Sequence, residues 1–249
     1  MWSVTLYYCK VDEGRISCII IFMKVSQPLQ GILFDFDGLI LDSETPIFQA
    51  WKKKFREYGK ILYLEEWAKI LGRSSDELGP IEGFLEEISD PAVKKQILEE
   101  VTQEELSLVM KQPPLPGAVE LIERAHQEGL KLGIVSSSDQ AWVHRHLERL
   151  KLMGFFDHTS CADEVEKAKP DPALYRLGME KLGVAPDRVV VLEDSPNGVL
   201  AAKRAGLYCI AVPNQLTGQL PFYEDGGAPD RVLKTLEDFP WDELMRTNE

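Results

Sequence analysis

The sequence predicts an α/β fold in which a parallel sheet is interrupted, after its first strand, by a block of helices. Four short apolar runs have the length and composition of buried strands, at 31–38, 130–135, 188–192 and 207–212. Helical patterns flank the last three runs, at 118–128, 140–151, 173–182 and 198–205. Strands that alternate with helices form βαβ units, so we expect a Rossmann-like parallel sheet with helices on both faces.

The helical block follows the first strand. Residues 48–58, 64–71 and 90–110 carry helical patterns with no convincing strand between them, and the proline-rich segment 113–117 then ends the block. We therefore predict a core domain made of 23–45 and 113–249, with a helical domain at 46–112 inserted into it.

The first 22 residues stand apart from this pattern. The apolar run 18–23 is too short to span a bilayer, and Asp12 and Glu13 before it are atypical of a signal peptide. We expect residues 1–22 to be an upstream extension that adds nothing to the fold. An extra edge strand and an exposed tail are the alternatives.

The charge balance excludes some classes of partner. The 249 residues include 28 Lys and Arg against 41 Asp and Glu, which gives a formal net charge of −13. Nucleic acids and anionic membrane surfaces require a basic contact surface, so neither is an expected partner. A small anionic substrate stays compatible with this net charge, because a bound cation can reverse the local field.

The four cysteines lack metal-binding spacing, and we expect reduced thiols in a cytoplasmic protein.

Acidic side chains end two of the predicted strands. Asp35 and Asp37 flank Phe36, so the alternation of a strand directs both carboxylates to the same side. A turn or a helix cap would explain one of these aspartates well and two poorly. Glu193 and Asp194 end another strand, and the carboxyl ends of parallel strands meet at one edge of the sheet. Four carboxylates at one edge suit Mg²⁺, which prefers hard oxygen ligands.

Two further segments offer groups that bind phosphate. Ser136–Ser138 follow the strand 130–135, where hydroxyl and backbone N–H groups can cradle a phosphate; a plain helix cap is the alternative. Lys169 lies in the rigid turn Lys-Pro-Asp-Pro. Its alternative interpretation is a surface ion pair with the acidic residues of 163–166.

These segments occur in the order and spacing of four motifs of the haloacid dehalogenase superfamily. Residues 35–44, Asp-Phe-Asp-Gly-Leu-Ile-Leu-Asp-Ser-Glu, resemble the first motif, DxDGxxxDSE. Val135-Ser136 resembles the second motif, Lys169 the third, and Glu193-Asp194-Ser-Pro-Asn-Gly the fourth. The chain resembles most the β-phosphoglucomutase-like phosphatases of this superfamily, in which the helical block is a cap domain.

The resemblance implies roles for individual residues. Asp35 would be the nucleophile that forms an aspartyl-phosphate, and Asp37 would be first the general acid and then the base. Ser136 and Lys169 would complete the catalytic group by binding the transferring phosphoryl group and neutralising its charge. The resemblance also implies two binding sets: Mg²⁺ held by Asp35, Asp37, Glu193 and Asp194, and substrate held by Ser136, Ser137, Lys169 and Arg73.

One position separates two possible activities. Mutases that resemble this chain carry a cap histidine twelve residues after the nucleophile, and this sequence has Ile47 there. A mutase must protect its phosphoenzyme from water, whereas a phosphatase need not. Because the histidine is absent, we expect hydrolysis of a small phosphorylated metabolite. We also expect the protein to be a monomer. A phosphohexomutase and a non-catalytic binding protein are the alternatives. Arg73 is a candidate for binding a distal phosphate or polar group, and a solvent-facing loop arginine is its alternative.

Overall fold

The computed structural model describes residues 4–12, 15–23, 28–67, 70, 79–222 and 227–246. Its strands are β1 (Val4–Asp12), β2 (Arg15–Met23), β3 (Gly31–Phe34), β4 (Lys131–Val135), β5 (His158–Ser160), β6 (Val189–Glu193), β7 (Tyr208–Ala211) and β8 (Arg231–Val232). Its α-helices are α1 (Glu44–Glu57), α2 (Leu64–Trp67), α3 (Pro80–Glu86), α4 (Pro91–Val109), α5 (Ala118–Gln127), α6 (Gln140–Leu150), α7 (Ala173–Leu182), α8 (Pro196–Arg204) and α9 (Trp241–Leu244).

Six parallel strands form the central sheet, in the order β5–β4–β3–β6–β7–β8. β3 lies between β4 and β6, and its register places Phe34 opposite Ile134 on one side and Leu192 on the other. All four predicted strands are present as β3, β4, β6 and β7, with small differences at their ends. The predicted α/β fold with a parallel sheet is confirmed.

Helices cover both faces of this sheet. Ile32 and Phe34 belong to an apolar cluster with residues of α5 and α6, whereas Leu33 and Val191 belong to a cluster with residues of α7 and α8. This division follows from the two-residue repeat of a strand, which directs successive side chains to opposite faces. Because both faces are apolar and covered, the strand ends are the natural place for polar side chains.

The helices α1 to α4 supply most of a third apolar cluster. α1 packs against α4, and the rings of Phe55 and Phe84 stack with centroids 4.4 Å apart. Trp51 and Trp67 are buried in the same cluster. The predicted helical block is therefore present, and its separate cluster supports an inserted domain. The boundaries 46–112 stay a prediction.

The sequence prediction lacks several short elements. β5 and β8 have three and two residues, which is too short for a recognisable strand pattern. α3 has seven residues and α9 has four. Gly83 within α3 weakens the helical signal further, because glycine is a poor helix former.

The first two strands form an antiparallel pair with each other. Within the described residues, neither strand joins the six-stranded sheet, so the alternative of an extra edge strand on that sheet is wrong. The sequence prediction contains neither strand, and the apolar run 18–23 is the end of β2.

Among the described residues, no helix combines the length and the apolar composition that crossing a bilayer requires.

Candidate active site

The register of the central sheet brings several predicted site residues to one edge. β3 pairs in parallel with both β4 and β6, so the carboxyl ends of these three strands lie side by side. Asp35 follows β3, Ser136 follows β4, and Glu193 ends β6 with Asp194 next in the chain. Lys169 reaches the same edge from the loop that precedes α7.

Three carboxylates at this edge form a buried acidic cluster. Asp35, Glu193 and Asp194 each offer an oxygen atom within 4.8 Å of the others, and their exposed fractions are 4%, 0% and 1%. Burial, and then the charge of Glu193, raises the pKa of Asp35 to about 7, although Lys169 opposes the shift. Burial and the charges of Asp35 and Glu193 raise the pKa of Asp194 well above its ordinary value. Such a cluster is stable in its ionised form only with positive charge beside it.

Lys169 supplies part of that positive charge. Its Nζ atom donates hydrogen bonds to Asp35 Oδ1 at 2.6 Å, to Glu193 Oε1 at 2.7 Å and to the carbonyl oxygen of Val135 at 2.8 Å. Burial alone would lower the pKa of this lysine, but the two carboxylates outweigh burial and raise it. The side chain is 1% exposed. Lys169 is therefore a buried cation of the acidic cluster, and the alternative of a surface ion pair is wrong.

Asp37 lies at the same edge with a different set of partners. Its Oδ1 atom accepts from Ser43 Oγ at 2.6 Å and from Trp142 Nε1 at 2.9 Å. Its Oδ2 atom accepts from Ser136 Oγ at 3.2 Å and from Ser138 Oγ at 2.7 Å. Four donors therefore fix the orientation of this carboxylate.

The serines after β4 are not a plain helix cap. The residue that caps α6 is Asp139, whose side chain accepts from the backbone N–H of Trp142 at 2.7 Å. Ser136 and Ser138 instead donate to Asp37 across the sheet edge, and Ser137 is buried between them in the chain. Arg73, the remaining predicted substrate-binding residue, lies outside the described residues.

Sequence reasoning missed four residues that contact the predicted ones. Ser43 and Trp142 bind Asp37, and the Tyr175 hydroxyl donates a hydrogen bond to Glu193 Oε1. Asn214 Nδ2 donates to Asp194 Oδ2 at 2.9 Å. Two of the four carried a usable signal. Ser43 lies in the first motif, and Asn214 is a polar residue shortly after a buried strand, as Asp35 and Ser136 are.

Glu44 is a further carboxyl group next to the cluster. It is the first residue of α1 and is half-buried. Burial, followed by the charges of Asp37 and Asp35, raises its pKa to about 8. Glu44 is the last residue of the first motif, and no role is predicted for it from the sequence.

Comparison with known proteins identifies relatives of this chain. The family described as haloacid dehalogenase-like hydrolase matches residues 32–212. A Bacillus subtilis protein predicted to be a phosphatase, YhcW, is 40% identical over 195 residues, which cover 78% of this chain and 88% of that protein. A phosphorylated carbohydrates phosphatase of Thermotoga maritima is 33% identical over 217 residues, which cover 84% of this chain and 99% of the relative.

A solved structure has a similar fold. The crystal structure of CbbY from Rhodobacter sphaeroides in complex with phosphate superposes with a TM-score of 0.66 and is 29% identical, over 85% of this chain and 96% of CbbY. The family match extends from β3 through β7 and so includes the whole acidic edge. The chain therefore belongs to the haloacid dehalogenase-like hydrolase family, as the resemblance of its four motifs implies.

Proposed function

We propose that the protein is a Mg²⁺-dependent phosphatase that hydrolyses a sugar phosphate or a similar small phosphomonoester through an aspartyl-phosphate on Asp35. One observation carries the proposal: Asp35, Lys169, Glu193 and Asp194 meet as a buried cluster at the sheet edge where Asp37 is also held. The related phosphatases from Bacillus subtilis and Thermotoga maritima support a phosphomonoester as the substrate class.

The acidic cluster fits a small divalent cation. The cluster has three buried carboxylates, and one lysine ammonium contacts two of them, Asp35 and Glu193. The negative charge of the three ionised carboxylates therefore exceeds the positive charge of the lysine. The donor set consists of oxygen atoms, which suits Mg²⁺ better than a softer metal. The carboxylates of Asp35, Glu193 and Asp194, with the backbone carbonyl of Asp37, would hold the ion. When bound, Mg²⁺ would supply positive charge to the phosphoryl oxygens.

Asp35 is the proposed nucleophile. Lys169 binds its Oδ1 atom, which leaves Oδ2 to attack phosphorus. The new bond joins this oxygen to phosphorus while the ester bond to the sugar oxygen breaks, which gives an aspartyl-phosphate and an alkoxide that takes a proton from Asp37. Lys169 and Ser136 would hold the phosphoryl oxygens during the transfer.

Asp37 is the proposed acid and base. After the sugar has left, Asp37 accepts a proton from water as that water attacks phosphorus, and inorganic phosphate and the free Asp35 carboxylate are regenerated. Ser138 Oγ lies 2.7 Å from Asp37 Oδ2. Because a serine hydroxyl can accept as well as donate, rotation of this hydroxyl accommodates Asp37 in both protonation states.

Hydrolysis is favoured over phosphoryl transfer between sugar positions. Ile47 packs against the apolar clusters of both the sheet and the helical block, so an apolar side chain stands where the resembling mutases have a histidine. We propose that the block 46–112 acts as a cap that selects the substrate. The proposal includes a monomer in the cytoplasm, and the buried free thiols of Cys161 and Cys209 are compatible with a reducing compartment.

The test is phosphate release from a panel of phosphomonoesters in the presence of Mg²⁺. The panel contains sugar phosphates, phosphoglycolate and nucleoside monophosphates, and the formation of glucose 6-phosphate from β-glucose 1-phosphate is followed in parallel. Wild type should release phosphate, EDTA should stop the release, and Asp35→Asn should be inactive. Acid-quenched wild type should carry a phosphoryl group on the peptide that contains Asp35.

A matched control and two contrary outcomes complete the test. Asp242→Asn removes an exposed carboxylate of α9 and should leave the rate unchanged. Conversion of β-glucose 1-phosphate without net phosphate release would identify a mutase. Undiminished turnover by Asp35→Asn would remove Asp35 as the nucleophile.

A further inference from the structure

The segment 213–220, which follows β7, connects the sheet edge with the helical block. It contains a single 3-10 turn, Thr217–Gln219. Leu216 is buried in the apolar cluster of the helical block, and Leu220 packs against that cluster. The first part of the segment lies at the sheet edge, where Asn214 contacts the acidic cluster. One short piece of chain therefore touches both parts of the molecule.

Asn214 uses its whole amide group. Its Nδ2 atom donates to Asp194 Oδ2 at 2.9 Å and to the carbonyl oxygen of Gly38 at 3.1 Å. Its Oδ1 atom accepts from the backbone N–H groups of Leu216 at 2.8 Å and Thr217 at 2.9 Å. The Thr217 hydroxyl accepts in turn from the backbone N–H of Asn214 at 3.0 Å.

These partners permit one orientation of the amide. In the opposite orientation, Nδ2 would face two N–H donors and Oδ1 would face two oxygen atoms, and these four hydrogen bonds would be lost. The side chain is therefore locked by its own turn. Its two N–H protons are directed at the Asp194 carboxylate and at the chain next to Asp37.

The packing around this contact is tight. Gly38 has φ +84°, and a Cβ atom added there would lie 2.2 Å from Asp194 Oδ2 and 2.8 Å from Asn214 Nδ2. Only glycine fits at this position, because any side chain would displace the carboxylate or the amide. Asp194, Gly38 and Asn214 are thus fixed relative to one another.

We propose that Asn214 is a positioning residue: it holds the Asp194 carboxylate and the Gly38 carbonyl in place, and its segment ties them to the helical block through Leu216. The inference rests on the proposed function, in which Asp194 binds Mg²⁺. Groups that orient a metal ligand by hydrogen bonding typically change metal affinity by about 10- to 100-fold when they are removed. Asn214 acts through Asp194 and is not itself a ligand.

The decisive variant is Asn214→Ser in the full chain. A serine hydroxyl can still accept from the backbone N–H groups of the turn, so the segment keeps its local structure. The shorter side chain no longer donates to both Asp194 and Gly38. Titration calorimetry of Mg²⁺ into metal-free protein should show a dissociation constant raised about 10-fold, with the melting temperature of the metal-free protein nearly unchanged.

Two more variants separate the parts of the inference. Gln219→Ala is the matched control, because it removes an exposed amide of the same segment whose Nε2 donates to the carbonyl of Gln215 at 2.8 Å. It should bind Mg²⁺ like wild type. Leu216→Ala keeps Asn214 but removes the apolar anchor of its turn. It should raise the dissociation constant by less than Asn214→Ser does, because the amide that orients Asp194 is still present.

The possible failures are distinguishable. Mg²⁺ affinity of Asn214→Ser equal to that of wild type would overturn the inference and leave the proposed metal site intact. Unchanged affinity in Leu216→Ala would overturn the connection to the helical block. If wild type itself bound no Mg²⁺, the proposed metal site and the inference would both be wrong.

Discussion

Replacing Asp35 by asparagine should stabilise the metal-free protein, by an amount that increases with pH. Folding places this carboxyl among Glu193 and Asp194 and raises its pKa from 3.8 to about 7. A group whose pKa is raised by folding contributes stability that is fully present below its unfolded pKa and is lost as the pH rises through the folded pKa. Wild type therefore loses stability between pH 3.8 and about 7, and the variant does not undergo this loss.

The size of the effect follows from the pKa shift. One pKa unit corresponds to about 1.4 kcal/mol, so a rise from 3.8 to about 7 corresponds to about 4 kcal/mol once the pH exceeds both values. At about pH 5 less than half of this stability has been lost, because the pH exceeds the pKa of the carboxyl in the unfolded chain by only about one unit. The stability difference between variant and wild type should therefore widen by about 2–3 kcal/mol from pH 5 to pH 8.

Urea denaturation in EDTA, followed by circular dichroism across this pH range, measures the difference. Asp242→Asn, which removes an exposed carboxylate, should follow the wild-type pH profile. Parallel profiles for wild type and Asp35→Asn would refute the reasoning. An Asp35→Asn variant that is less stable than wild type at pH 8 would refute it as well. Either result would mean that the Asp35 carboxylate is not destabilising in the metal-free fold.

Three other perturbations test the remaining parts of the structure. Lys169→Met should abolish phosphate release and lower the free energy of unfolding of the metal-free protein by about 3–5 kcal/mol at neutral pH, because it leaves two buried carboxylates without their cation; unchanged stability in urea denaturation would contradict this. Phe84→Ala removes a ring stacked on Phe55 and should weaken the helical block by about 3–5 kcal/mol. Hydrogen exchange should accelerate in α1 and α4 but not in β3 and β6, and uniform acceleration would mean that block and sheet unfold together. Deleting residues 1–22 should leave melting temperature and turnover nearly unchanged, because β1 and β2 pair with each other and not with the central sheet; a large fall in melting temperature would show that the pair packs on the core.

The sequence predicted the central strands well because a parallel strand covered on both faces needs a continuous apolar run. β3 is such a run and Asp35 follows it directly, whereas β6 is apolar up to its last residue, Glu193, and Asp194 follows. The edge strands β5 and β8 gave no such signal, because three and two residues cannot show a period. The order of the strands, with β3 between β4 and β6, is a property of the assembled sheet.

Lys169 shows where local reasoning was insufficient. Lys169 lies in a turn, and the residues 163–166 before it are mostly acidic, so a solvated ion pair was a reasonable alternative. The tertiary structure instead inserts its ammonium group between Asp35 and Glu193, at 2.6 and 2.7 Å. The burial of a charge depends on what surrounds it in space, and neighbours in the chain do not determine that.

The sequence by itself determined the fold class, the helical block and the identity of the acidic residues at the sheet edge. Apolar periodicity and strand ends are local features of the chain, and they are sufficient for those conclusions. Only the tertiary structure decided which side chains hold the acidic residues in place. Trp142 is 105 residues from Asp37, and Tyr175 and Asn214 are 18 and 20 residues from their carboxylate partners. These contacts arise when helices and loops pack against the sheet edge, because hydrogen bonds depend on distance and direction in space and not on separation along the chain.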